Sequence, residues 1–133
     1  MKQLLILLAL LSSNIAFAGT EYVPPAAYFT AVSAADIVNT TSTLVKAAAG
    51  TGVRYYITAF SVTNSAAAVS TRVDLLDGAT VIWSCQVGPA ATGTCNQLFP
   101  TPLRGTTATA LNCQAATTAA AVRCSIAGYT ATY

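Results

Sequence analysis

The chain reads as an all-β protein, a single antiparallel β-sandwich or jelly-roll-like domain of about eight short strands. Two observations carry this. Between Tyr55 and Trp83 lie three apolar runs that read as three antiparallel strands, and Asp77-Gly78 separates the last two. Asp-Gly between apolar runs is the strongest short hairpin signal, because a type I′ turn needs positive φ at both central residues. The second observation is spacing: runs rich in Val, Ile, Tyr, Phe and Thr are punctuated by turn residues every ~8–12 positions along the chain.

Taken in order, residues 1–18 have the layout of a secretory signal peptide. Met1-Lys2-Gln3 leads into the apolar run Leu4 to Leu11, and Ala16-Phe17-Ala18 precedes Gly19, so cleavage is expected after Ala18. That run is too short to span a bilayer, and nothing later approaches the ~18 uninterrupted apolar residues a span needs. Residues 19–39 form an extended N-terminal arm or edge segment, because Pro24-Pro25 fixes φ and removes two backbone donors. The sandwich domain is placed at 40–133. Its strands are expected at Thr40 to Ala49, ended by Gly50-Thr51-Gly52, then at Val53 to Asn64, Ser70 to Leu76 and Ala79 to Val87. Val53 to Asn64 carries apolar side chains on both parities, so neither face is plainly the wet one. A two-residue Asp77-Gly78 loop sets Leu76 opposite Ala79, Asp74 opposite Val81 and Arg72 opposite Trp83. Val73, Leu75 and Ile82 then share the core face. Cys95 to Phe99 is a short strand halted by Pro100 and Pro102. Thr106 to Ala115 and Ala121 to Thr132 make a closing hairpin, with Gly128 marking a bulge or a close backbone approach.

Only 8% of residues are charged while 54% are apolar, much of that alanine. A surface with so few charges belongs to a tightly folded domain that hides part of itself in an assembly, as a homo-oligomer or docked on a larger particle. Net charge is +2, and about +1 once Lys2 leaves with the leader, which gives no electrostatic case for nucleic acid or an anionic membrane.

Cys85, Cys95, Cys113 and Cys124 allow three pairings. Cys85 with Cys95 and Cys113 with Cys124 are favoured, each bracketing a short segment of turn or small residues and each expected to clamp a hairpin. Loops of that length imply roughly 2.5–3 kcal/mol of chain-entropy stabilisation per bridge. Zinc competes weakly, since the spacings contain no Cys-x-x-Cys, and an exported context favours disulfides.

The catalytic inventory is thin. There is no histidine, and Glu21, Asp36, Asp74 and Asp77 are the only carboxylates, so the Ser-His-Asp and Cys-His arrangements are excluded. Asp77 belongs to its turn, and Asp74, two residues from Arg72 on one strand face, reads as half of a surface ion pair. No cofactor or metal is implied. Asn39-Thr40-Thr41 matches a glycosylation acceptor. The remaining binding features are aromatic: Trp83, Tyr22, Tyr28, Tyr129 and Tyr133, with Arg72 beside the indole, are candidates to stack on a sugar or a neighbouring chain, although a strand aromatic is more often core.

The order Gly52-x-x-Tyr55-x-Ile57-Thr58, Val62-Thr63-Asn64-Ser65, Val73-x-Leu75-x-Asp77-Gly78-x-x-Val81-Ile82-Trp83, Phe99-Pro100-x-Pro102-Leu103-Arg104-Gly105-Thr106, Ala110-Leu111-Asn112 and Gly128-Tyr129 resembles small β-sandwich virion proteins of tailed phages, of the head-decoration or fibre type. It covers about residues 44–133. The resemblance implies a trimer-forming or surface-decorating structural subunit with no active site. A leader and paired cysteines depart from a particle assembled in the cytoplasm. The sequence reading is thus a non-enzymatic, extracytoplasmic subunit, secreted to the periplasm, the cell surface or a virion surface, that acts by assembly or adhesion. The alternative is a secreted carbohydrate-binding module using exposed aromatics. On export the chain is expected to begin at Gly19, which the intact mass of the secreted product checks; a retained Met1 would remove the compartment argument.

Overall fold

The computed structural model describes residues 27–90 and 92–132. The leader and the first part of the arm, with Glu21, Tyr22 and Pro24-Pro25, lie outside the described residues, as does Tyr133.

Eight strands form two antiparallel four-stranded sheets: β1 (Ala27–Val32), β2 (Thr43–Lys46), β3 (Val53–Asn64), β4 (Thr71–Asp77), β5 (Thr80–Val87), β6 (Thr94–Arg104), β7 (Leu111–Ala115) and β8 (Val122–Thr132). Sheet I has the order β1-β8-β3-β6 and sheet II the order β2-β7-β4-β5. The β-sandwich expected from the sequence is therefore the fold. Residues 27–39 belong to it rather than to a separate arm: β1 pairs along its whole length with β8, and Ile37, buried, bridges Val122.

Between the sheets lies one core, built by alternation. Leu111, Cys113 and Ala115 of β7 point inward while Asn112 and Gln114 point out, and Val122, Cys124 and Ile126 do the same on β8. The two-sided pattern of β3 resolves through a bulge. Its pairing with both neighbours shifts between Ile57 and Ala59, and the extra residue moves the inward parity from Tyr55 and Ile57 to Phe60, Val62 and Asn64, all buried. Gly128 faces that bulge on β8, where a Cβ would collide with the carbonyl oxygen of Tyr56, so the close approach expected there is present.

The β4–β5 hairpin forms with a different register. Asp77 pairs with Thr80, so the loop is Gly78-Ala79, and only Gly78 has positive φ, at 62°. That is the pattern of a type II′ turn, glycine first, not type I′. A second bulge between Leu75 and Leu76 inserts Ile82 into β5, so Leu75 faces Trp83, Asp74 faces Ser84 and Arg72 faces Gln86. Arg72 therefore does not lie across the indole. Val73 and Leu75 are fully buried, and Ile82 packs against the core from the side.

Three further expectations are corrected. β6 does not stop at Phe99 but runs to Arg104, because the prolines fall in a stretch without partners. Leu98 pairs with Ala59 and Leu103 with Ile57, so Phe99 to Pro102 bulges out on an edge strand where missing donors cost nothing. Nor do β7 and β8 form a hairpin. They lie in different sheets, and Cys113–Cys124, with a Cα–Cα distance of 6.6 Å, ties sheet II to sheet I through the core. The other expected pair, Cys85 and Cys95, lies on β5 and β6, in different sheets. Both pack against the core, one from each sheet, so a bond between them would also join the sheets rather than clamp a hairpin.

Buried polar groups close the two ends. Asn64 is 3% exposed and uses its whole amide: Nδ2 donates to Val69 O at 2.7 Å and Gly88 O at 2.8 Å, and Oδ1 accepts from the amides of Ala66 at 3.1 Å and Ala121 at 3.2 Å. At the far end Asp77 Oδ2 accepts from the Thr106 amide at 2.6 Å, and Asn112 Nδ2 donates to Gly78 O at 2.8 Å. Asn64→Ala strands four partly buried backbone groups and is expected to lower stability by about 2–4 kcal/mol in denaturant titration. Gly78→Val, which also drives a Cβ to 3.0 Å from Thr109 Cγ2, is expected to cost about 1–3 kcal/mol; an unchanged midpoint would contradict the turn geometry.

Candidate functional site

The two outer faces of the sandwich differ in chemistry. That of sheet II carries an ion-pair network beside a row, Leu44–Asn112–Leu76–Val81, whose ends Leu44 and Val81 are about half exposed. Arg72 Nε donates to Asp74 Oδ1 at 2.9 Å and Nη2 to Oδ2 at 3.0 Å, while Ser84 Oγ donates to Asp74 Oδ1 at 2.6 Å. The pair is less superficial than expected: the Asp74 side chain is 6% exposed and that of Arg72 58%. The hydrogen bond to Asp74, and then the carboxylate's charge, raise the Arg72 pKa and hold it protonated. Asp36, on the loop after β1, is similarly engaged with Arg123 at 3.0 Å.

The outer face of sheet I carries small and aromatic side chains in rows. One row crosses all four strands: Tyr28 of β1 is directly opposite Tyr129 of β8, which is opposite Tyr56 of β3, which is opposite Arg104 of β6. Their strand neighbours Phe29, Tyr55 and Ile57 turn into the core, so period-two alternation places the whole row outside. Tyr56 and Tyr129 stack in parallel at 5.0 Å with 5° between ring planes, and Tyr28 meets Tyr129 edge-on at 6.0 Å. Such contacts between facing strands add to sheet stability. Beside this row the surface dips into a shallow cleft of about 300 Å³ bounded by Tyr28, Thr30, Thr58, Ala127 and Gly128. Leu98, 75% exposed, stands opposite Ala59. A second cleft, about 370 Å³, opens between β1 and the segment after β2, with Tyr28, Lys46 and Tyr55 among its walls. There Lys46 Nζ sits 5.5 Å from the centre of the Phe29 ring.

The candidates from the sequence divide accordingly. Tyr28 and Tyr129 come together on one face. Trp83 turns inward, edge-on to Phe60 at 5.4 Å and Phe99 at 5.8 Å, and is a core residue. Arg72 serves Asp74. Tyr22 and Tyr133 lie outside the described residues. Asn39 uses its Oδ1 to accept from the Thr41 amide at 2.9 Å on an exposed loop. Tyr56, the centre of the row, is not among the sequence candidates; its signal lies in its parity with Arg54, masked by the apolar residues on both sides of the bulge. Among the described residues no three His, Cys, Asp or Glu side chains gather in one place, and no helix is long and apolar enough to cross a membrane.

The fold and the exposed row together describe a β-sandwich with one face on which tyrosine and arginine side chains stand among small ones. No protein-family model, curated protein or solved structure matches the chain.

Tyr55 ties this region to the core, donating its hydroxyl to Ala47 O, and burial raises its pKa above the ordinary tyrosine value. A raised folded pKa favours the protonated state in the fold. The stability it provides is complete below the unfolded value and drains away as pH rises from there through the folded pKa. Stability is expected to fall on the alkaline side, and Tyr55→Phe to flatten that fall in chemical melts at rising pH.

Proposed function

We propose that the chain is a non-enzymatic, extracytoplasmic structural or adhesive subunit that works by self-assembly or by decorating a larger particle. The observation that carries this reading is the Tyr28–Tyr129–Tyr56–Arg104 row on the outer face of sheet I. Aromatic and arginine side chains set among small uncharged ones are the composition of protein contact surfaces. The apolar two-sidedness of β3 gives no support, since the bulge turns Phe60 and Val62 inward. An extracytoplasmic place is supported by the leader-like residues 1–18 and by the Cys113–Cys124 bridge, a bond that persists in oxidising compartments. A phage-decoration or fibre-like role is the finer form of this proposal, and its support is the motif order in the sequence.

The orientation of the rings separates this from the alternative. A sugar platform presents flat ring faces to the ligand. Here Tyr56 and Tyr129 turn their faces to each other, and what they direct outward is edges and hydroxyls. Only Tyr28, 83% exposed and edge-on to its neighbour, keeps a face open, and that single ring is what favours a carbohydrate-binding module. Light scattering on the exported protein is expected to show association that grows with concentration and that Tyr56→Ser weakens. A monomer at high concentration that is retarded in gels containing polysaccharide would instead establish the glycan reading.

A further inference from the structure

Resting on that assembly reading, we propose that the contact is main-chain pairing of β1 with β1 of a second copy, antiparallel about a two-fold axis at Thr30. The first ground is the edge itself. β1 is an outermost strand of sheet I. One step beyond the Val32–Ser125 pair, the Ser33 amide donates to Cys124 O at 2.9 Å. An antiparallel ladder alternates, so Ala31 and Phe29 also direct their backbone groups at β8, and those of Tyr28, Thr30 and Val32 point away from the sheet. Natural edges are ordinarily guarded by a proline, a charge or a bulge, and Ala27–Val32 has none of these.

Register identifies the occupant. A free edge accepts an extended chain through its backbone, and the side chains choose which one. With Thr30 on the axis, Thr30 faces Thr30, and Tyr28 of each copy faces Val32 of the other. Every residue of β1 with outward backbone groups then meets another such residue, and three pairs exchanging two bonds each give about six hydrogen bonds. A slip of two residues either way leaves one of the three facing beyond the strand. The paired side chains share the outer face of the sheet, and both kinds of pair, threonine with threonine and aromatic with β-branched, are favourable cross-strand neighbours.

The distribution of apolar surface is the second ground. The tyrosine row ends on this edge at Tyr28, which meets Tyr129 edge-on, and Tyr129 is stacked on Tyr56. Tyr28 is 83% exposed and Val32 50%, so their pairing covers the two most open apolar side chains of β1 and carries the row on to the second copy. β2 is an outer strand of sheet II, and Lys46 Nζ over the Phe29 ring places it against β1. Val38, between these strands, and Leu44, on β2, are each more than half exposed. Among the described residues, four of the six large apolar side chains left open therefore lie along β1, β2 and the loop that joins them. A two-fold contact presents this side of each copy to the same side of the other.

The test uses the full exported chain. In hydrogen exchange the amides of Phe29 and Ala31 are expected to be protected at every concentration, and those of Tyr28, Thr30 and Val32 to gain protection only as concentration rises. Thr30→Lys and Thr30→Glu each change one exposed side chain and set like charges face to face on the axis. Each is expected to weaken association in sedimentation velocity about tenfold or more, with unchanged circular dichroism. A mixture of the two is expected to recover a heterodimer, because lysine then faces glutamate. If the wild-type chain associates and neither variant weakens it, or the mixture recovers nothing, the assembly reading stands and this pairing is overturned. If the wild-type chain stays monomeric at high concentration and the three amides exchange freely, the pairing and the self-assembly reading both fall. If the three amides are already protected in a dilute monomer, the edge is covered from within the chain and the pairing is overturned.

Discussion

The amide of Asn64 is the constraint on which the sandwich depends. It sits at the end of β3, in the middle of sheet I, and its four hydrogen bonds reach the segments before β4, after β5 and before β8. Its own backbone amide donates to Gly93 O at 2.6 Å, just ahead of β6. Every connection except β4–β5 passes from one sheet to the other, so few strands are held by their sequence neighbours. In such a topology the loops at one end must be tied to a common point or the sheets slide. A buried amide with every donor and acceptor filled does this because no alternative arrangement fills them.

The same crossing topology explains what could be read from the sequence. Strand identity was legible wherever local pattern decides it: β3 runs from Val53 to Asn64 as expected, and β4–β5, the one hairpin between consecutive strands, carries the one strong turn signal. Pairing was not legible where it depends on distant chain. The small-residue bridge between Cys113 and Cys124 looks like a hairpin loop whether its strands meet side by side or face to face, and here they face. Register failed at the bulges of β3 and β5, since an inserted residue leaves composition unchanged and reverses the parity of the residues beyond it. Trp83 went inward at one of them and Phe60 at the other.

Of the exposed row, Tyr28 and Tyr129 were visible as aromatics at the chain's two ends, and only the antiparallel pairing of β1 with β8 brings them together. The chain's few charges obey a related logic. Asp74 fixes Arg72 and Ser84 on sheet II, Asp77 holds the loop at Thr106, and Asp36 anchors Arg123. With those carboxylates committed to structure, the outer face of sheet I is left to Tyr, Thr, Ala, Ser and Arg, with Leu98 exposed on its edge strand.

The bulged stretch Phe99 to Pro102 has a consequence for growth. β6 and β1 are the two open edges of sheet I, and a sheet with two open edges extends into a ribbon one copy at a time. Pro100 and Pro102 break the ladder of donors along β6, so a new strand finds no continuous template there. The other edge, β1, has neither proline nor charge. Among the described residues, sheet I therefore carries an unbroken ladder of backbone groups along its β1 edge and an interrupted one along its β6 edge.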